Sequence, residues 1–416
     1  MNTSVNGPKN QAMWARTDRV VPGGGVYFTR SARFAGNDVL PGFIEYAEGC
    51  RVTDVDGKSY IDFNCGNGPN LLGYRHPEVD AAAAEQGKKM DLASFFPDSM
   101  PAYAERLLDW GEGFDWAIFT KNGSDSSNLA LRIMRSVRQR PIIILFKAAY
   151  HGFGLEISLS HETTFDEKPR NIIRVPWNDA DALLGLIEEY GDQVAGILVN
   201  PLDQSPVQET QPMSQTMVDA IDTFRARTGC CVALDDIRHG FRLHPKGSHK
   251  HMGLDADLLC LGKAQANGYS TSTILGKSSL REGAENIRFT ATYMFSSVAF
   301  RAGIATLDIY ERDNVFDHLS SMGEQLVEGI TKAGLEAGHE DVVMSGPPTM
   351  PTLLLGQDKK AKRARMFAAN AARLGAIFHP TLNWFLSYAH KQADIDEAIE
   401  IARRAFADTP INEVQK

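Results

Sequence analysis

Lys263 closes the apolar run LLCLGK, and Asp235 lies near the end of a second run, CVALDD, 28 residues upstream. An amine removed from water loses proton affinity and becomes a nucleophile suited to Schiff-base chemistry. A buried carboxylate must find a partner. One strand and one crossover fit the interval, and in a parallel α/β sheet ligands gather at the carboxyl ends of the strands.

A third element is KNGSDSSNLALRIMRSVRQR, in which Leu129, Ile133 and Val137 mark one face of a helix and Asn122, Gly123 and Ser124 occupy its first turn. Backbone N–H groups, hydroxyls and the helix dipole make such a turn an anion site. Without the lysine of a P-loop it suits a cofactor phosphate better than a nucleotide triphosphate. Each element alone has a plainer reading: a lysine reaching water, an aspartate paired with a backbone N–H or an arginine, a capped helix. Together they are what pyridoxal 5'-phosphate (PLP) requires, an amine for the imine, a carboxylate for the pyridine nitrogen and a cradle for the phosphate.

These groups need a rigid frame. The short apolar runs PIIILF, VAGILVN, CVALDD, LLCLG and STILG alternate with helix-length segments, which predicts an α/β fold with a parallel sheet covered on both faces. ADALLGLIEEYG and SQTMVDAIDTFRARTG read as helices ending at glycine C-caps. Residues 75–310 are expected to form the large cofactor-binding domain. Residues 311–416, with helices near 316–337, 360–374 and 392–407 beside the strand-like MPTLLLG and FLSYAH, form a smaller α+β domain, completed by residues 1–74 through the DG turn of VTDVDGKSYIDF.

The 416 residues carry a net charge of -9 without a basic block, which argues against nucleic acid as a partner. No apolar run approaches the roughly 20 residues that span a bilayer and the N-terminus lacks a signal-peptide pattern, so a soluble, cytoplasmic protein without a membrane partner is expected. Five cysteines without CxxC spacing read as reduced core residues. GNGPNLLG has Leu71 where a dinucleotide fingerprint needs glycine, and His244, His249 and His251 lack the companions of a zinc site, so no metal is expected.

From VPGGG at 21 through DVDGKSYIDF, LLGYRHPEV, KNGSDSS, AYHG, LDDIRHGFR, LGKAQANGY and ATY to FLSYAH, the chain resembles the class III aminotransferases of fold-type I PLP enzymes. The likeness is strongest to the branch holding glutamate-1-semialdehyde aminomutase and the hydrolysed-fumonisin aminotransferase. The resemblance implies Lys263 as imine lysine and general base, Asp235 at the pyridine nitrogen, Gly123 and Ser124 at the phosphate, Tyr150 stacked on one ring face and Ile237 on the other. It implies a homodimer in which Thr292 reaches the neighbouring subunit's phosphate.

The sequence departs from the family at Arg238, where glutamine or methionine is usual. A cation there would lower the proton affinity of the imine; turned outward, it would pair with Asp236 or Glu209. Asn200 replaces a glutamate before Pro201, and the segment after AYHG is shorter than the aminomutase's gating loop. Arg30, Arg238 and Trp384 are assigned to the substrate, Trp384 with His379 and Asn383 as a pocket wall or as packing. The implied activity moves an amino group from an amine or amino-acid-like donor to an oxo acid, pyruvate by expectation, in a ping-pong cycle. The alternatives are an aminomutase and a non-catalytic PLP-binding protein.

Overall fold

The computed structural model describes residues 4–22, 39–158, 171–356 and 360–411. The chain divides into two compact units: Met1–His76 with Pro206–Glu209 and Asp317–Lys416, and Pro77–Ser205 with Thr210–Phe316.

In the first unit β1 (Ile44–Glu48), β2 (Arg51–Asp54) and β3 (Ser59–Asp62) form an antiparallel meander. The expected DG turn joins β2 to β3, with Gly57 at φ +87, a conformation glycine reaches without a Cβ penalty.

The second unit holds a seven-stranded sheet of β4 (Trp116–Thr120), β5 (Ile142–Phe146), β6 (Ile172–Val175), β7 (Val194–Val199), β8 (Cys231–Asp235), β9 (Leu258–Leu261) and β10 (Ser272–Gly276), in the order β4-β10-β9-β8-β7-β5-β6. β5 to β9 run parallel, as the unbroken apolar runs predict. β10 is antiparallel to both neighbours, which the STILG run does not reveal. Only ten residues separate it from β9, too few for the crossover a parallel neighbour needs. On one face the helix Gly123–Arg138 lays Leu129, Ile133 and Met134 over Ile143, Leu145, Ala233 and Cys260. A Cβ at Gly196 would lie 2.2 Å from Met134 Sδ, so glycine sets this helix's closeness to the sheet. Aromatic rings from the helices Ser99–Gly111 and Ser297–Arg312 meet Phe119 of β4, with Phe300 at 4.5 Å and Tyr103 at 5.5 Å between centroids.

Two local expectations are revised. ADALLGLIEEYG breaks into the short helices Ala180–Gly185 and Ile187–Tyr190, and Gly191 stays right-handed, whereas Gly229 is the left-handed cap expected. Among the strands β11 (Val342–Ser345), β12 (Thr352–Leu355) and β13 (Ala376–Ile377), MPTLLLG supplies β12, but FLSYAH is no strand. Its N–H groups go to three separate segments, Phe385 to Phe63 O, Leu386 to Thr349 O and Tyr388 to Leu71 O, so no ladder forms. β13 pairs in parallel with β3. All five cysteines are buried thiols.

Candidate active site

β8 and β9 lie side by side with Asp235 opposite Cys260, so both chains leave the sheet at the same edge. Two residues past β9 the backbone tightens into the turn Lys263–Ala266, and Lys263 itself takes φ +40, a left-handed conformation that costs a lysine about 1–2 kcal/mol. Gly262 makes the turn possible: a Cβ there would sit 2.6 Å from Ser272 Oγ and 3.1 Å from Ile237 Cγ2. Lys263 is half-buried, and its amine is pushed down to about 7, first by loss of water and then by the Arg238 guanidinium, with Asp235 opposing and Arg242 adding a smaller push.

Asp235 is buried. One carboxylate oxygen lies 2.8 Å from His151 Nδ1 and accepts from Ser127 Oγ at 3.4 Å, and the other accepts from Ile237 N at 3.2 Å. His151, the residue after Tyr150 in AYHG, is a site residue that the sequence reading passed over. Its side chain is fully enclosed, and Nε2 has no hydrogen-bond partner among the described residues. The Asp236 carboxylate turns to the Ser248 N–H and hydroxyl, and burial pushes it up to about 7.

The helix Gly123–Arg138 begins against the same edge, with Asn122 N donating to Asp125 Oδ2 at 2.8 Å. Its first N–H groups have no carbonyl a turn earlier to bond, which leaves the dipole's positive end for an anion. A Cβ at Gly123 would lie 2.8 Å from Ile237 Cγ2, and one at Gly152 would lie 2.3 Å from Ser124 Oγ, which accepts from Phe153 N at 2.9 Å. Ile237 therefore stands between Gly123 and Gly262, and helix start, carboxylate strand and lysine turn meet around one side chain. Tyr150 is exposed, with the Arg238 guanidinium 5.9 Å from its ring centre.

Thr292 is exposed after the helix Arg281–Glu285 and makes no hydrogen bond to the cluster among the described residues. Arg30 lies outside the described residues. Trp384 belongs to the first unit and is enclosed there, its Nε1 donating to His379 O at 2.9 Å and its ring 4.4 Å from that of Phe378. Its ring is fully enclosed. Asn383 bonds Met350 O and Thr352 Oγ1 in the same unit.

The donor set fits PLP on structural grounds: a desolvated amine, a buried carboxylate oriented by a histidine, and a helix start whose glycine admits nothing larger. Comparison with known proteins leads to the same cofactor. The solved PLP internal aldimine form of the FumI protein from Sphingopyxis sp. MTA144 superposes with a TM-score of 0.91 at 31% identity over 96% of each chain. The fold is that of the fold-type I PLP transferases.

Within that group the family model Aminotransferase class-III matches residues 34–406, and the chain belongs to that family. The aminopentol aminotransferase of Sphingopyxis macrogoltabida is 33% identical over 97% of this chain and 95% of that protein. A glutamate-1-semialdehyde 2,1-aminomutase from Syntrophobacter fumaroxidans is 27% identical over 96% and 97%. The chain is a PLP-dependent aminotransferase. Among the described residues no helix is long and apolar enough to cross a membrane, and no cluster of His, Cys, Asp and Glu could hold a metal.

Proposed function

We propose that Lys263 is the cofactor lysine and the proton carrier of an aminotransferase whose donor is a primary amine flanked by hydroxyl or apolar groups and whose acceptor is a small oxo acid, pyruvate in particular. The observation that carries this reading is the strand-edge pair of a desolvated Lys263 amine and a His151-bound Asp235 carboxylate. PLP, when bound, supplies an electron sink for the substrate's α-carbon. Lys263, with an amine near neutrality, is matched to taking a proton at that carbon and returning it on the cofactor side. Asp235, fixed by His151 and Ile237 N, holds a proton on the pyridine nitrogen. Gly123 and Ser124 bind the phosphate at the helix start, and Tyr150 and Ile237 enclose the ring.

The neutral donor side is supported by Asn200 in place of a glutamate, and by likeness to a protein named for an aminopentol. Arg30 is proposed to bind the acceptor's carboxylate. A homodimer in which Thr292 serves the neighbouring site is part of the proposal, supported by the exposed side chains Phe95, Phe96 and Tyr293 of the same unit. So are a cytoplasmic setting and the division into a large domain over 75–310 and a small one from both chain ends. The test is a panel of hydroxylated, aromatic and carboxylated amines added to the PLP-loaded protein without acceptor, followed by visible absorbance. Loss of the cofactor band with hydroxylated or apolar amines, restored by pyruvate, is expected. A band unchanged by every amine contradicts the reading and leaves an aminomutase or a non-catalytic PLP-binding protein.

A further inference from the structure

β7 and β8 run side by side, and their last registered pair is Val199 with Leu234. One residue further along each strand stand Asn200 and Asp235, both buried. Asn200 continues the pairing past the sheet with its side chain, Nδ2 donating to Asp235 O at 3.3 Å. The other end of the amide, Oδ1, has no hydrogen-bond partner among the described residues, so nothing there competes for its orientation. Asp235 is therefore held at two places, its carboxylate by His151, Ser127 and Ile237 N and its main chain by Asn200.

The segment that carries Asn200 is itself fixed. Pro201 O accepts from Met213 N at 2.9 Å, and Leu202 bridges Pro212. Asp203 N donates to Gln211 O at 2.9 Å, and Gln211 N donates back to Asp203 Oδ1 at 2.8 Å. Gln204 N donates to Ala148 O at 2.8 Å, two residues before Tyr150. A donor on so rigid a base is pre-organised. The glutamate that Asn200 replaces could not do the same, because an ionised carboxylate only accepts and would turn its oxygens against the carbonyl. We propose that Asn200 is a positioning residue that fixes the main chain of Asp235 and so keeps its carboxylate aimed at the pyridine nitrogen. The inference rests on the reading of Asp235 as that nitrogen's partner. The short aspartate side chain carries any shift of its backbone straight to the carboxylate, and a misplacement of about 1 Å in such a group costs up to about a hundredfold in rate.

The experiment is a double-mutant cycle of Asn200→Asp and Asn200→Ala with Asp235→Asn. It is read in kcat and, on the cofactor-free protein, in the Kd for PLP from quenching of tryptophan fluorescence. In the wild-type background each Asn200 variant is expected to lower kcat about tenfold and to raise the Kd for PLP about threefold, with KM for the amine changed by less than about twofold. In the Asp235→Asn background the same substitutions are expected to change either quantity by less than about twofold, because the group they misplace is already gone. Equal losses in both backgrounds overturn the proposal, since they would mean a general loosening of the fold. A raised KM with kcat unchanged also overturns it and makes Asn200 a contact of the donor. If Asn200→Ala does not fold, Asn200→Asp, which keeps the size of the side chain, decides alone. The reading of Asp235 is judged by its own arm. Asp235→Asn with undiminished kcat would refute that reading and the proposal with it, whereas a lowered kcat with additive Asn200 losses would refute the proposal alone.

Discussion

Each unit of this molecule sets an arginine, a histidine and a carboxylate in one region, and the two groups are built to opposite ends. In the first unit Arg363 donates to Asp341 through both terminal nitrogens, to His339 Nδ1 at 2.8 Å and to Pro410 O at 3.1 Å. Opposite charges meet in a fork that matches a carboxylate, and the Asp341 carboxyl is held below its usual range by Arg363. At the strand edge of the second unit, Arg238 acts on a lysine of the same sign, Asp236 is buried beside Asp235, and His151 Nε2 lacks a partner among the described residues. The first arrangement stabilises a fold. The second holds groups away from their resting protonation, as a site awaiting a ligand does.

The sharpest way to break this contrast is Lys263→Ala. Amino transfer should fall by more than about a thousandfold in acceptor-dependent turnover, because no other group at the strand edge is an amine. Asp235→Asn comes next, with a loss of about 10²- to 10³-fold in kcat while PLP still binds, since the phosphate turn and Lys263 are untouched. Arg363→Met should leave kcat unchanged and cost about 2 kcal/mol, at the modest end for a buried cation because Asp341 is half-exposed, seen as a Tm lower by roughly 2–5 °C.

A further prediction is a pH signature of the cofactor-free protein. Asp236, at about 7 when folded against an ordinary value near 3.9, binds more protons folded than unfolded, so its contribution to stability falls as pH rises from about 4 to 7. Lys263, at about 7 against an ordinary value near 10.4, binds fewer protons folded, so its contribution rises from pH 7 to about 10. These two groups together predict a stability minimum near pH 7. Asp236→Asn should flatten the acid limb and Lys263→Met the alkaline one, in urea titrations at half-unit intervals.

The same contrast explains what the sequence discloses. The five strands legible in it, β5, β7, β8, β9 and β10, are the five interior strands of the sheet, buried on both faces and written as unbroken apolar runs. The two it hides, β4 and β6, are the edges, where Ala117, Ile118 and Ile172 to Arg174 are half-buried and the pattern breaks. β10's direction was hidden too, since polarity of a run carries no orientation. Lys263 and Asp235 stand out because a charged residue closing an apolar run is locally anomalous. His151 does not, because its partner lies 84 residues away and nothing local marks the pairing. Trp384 is ambiguous for a related reason: an aromatic residue between polar ones reads equally as a wall or as core.

Lys263, which follows a buried strand, is the residue proposed to carry the cofactor. Borohydride reduction of the PLP-loaded protein, followed by peptide mass mapping, tests it most directly. A pyridoxyl adduct on the peptide containing Lys263, absent from Lys263→Ala, is the predicted result. An adduct on another lysine, or none on a protein that retains PLP, would contradict it.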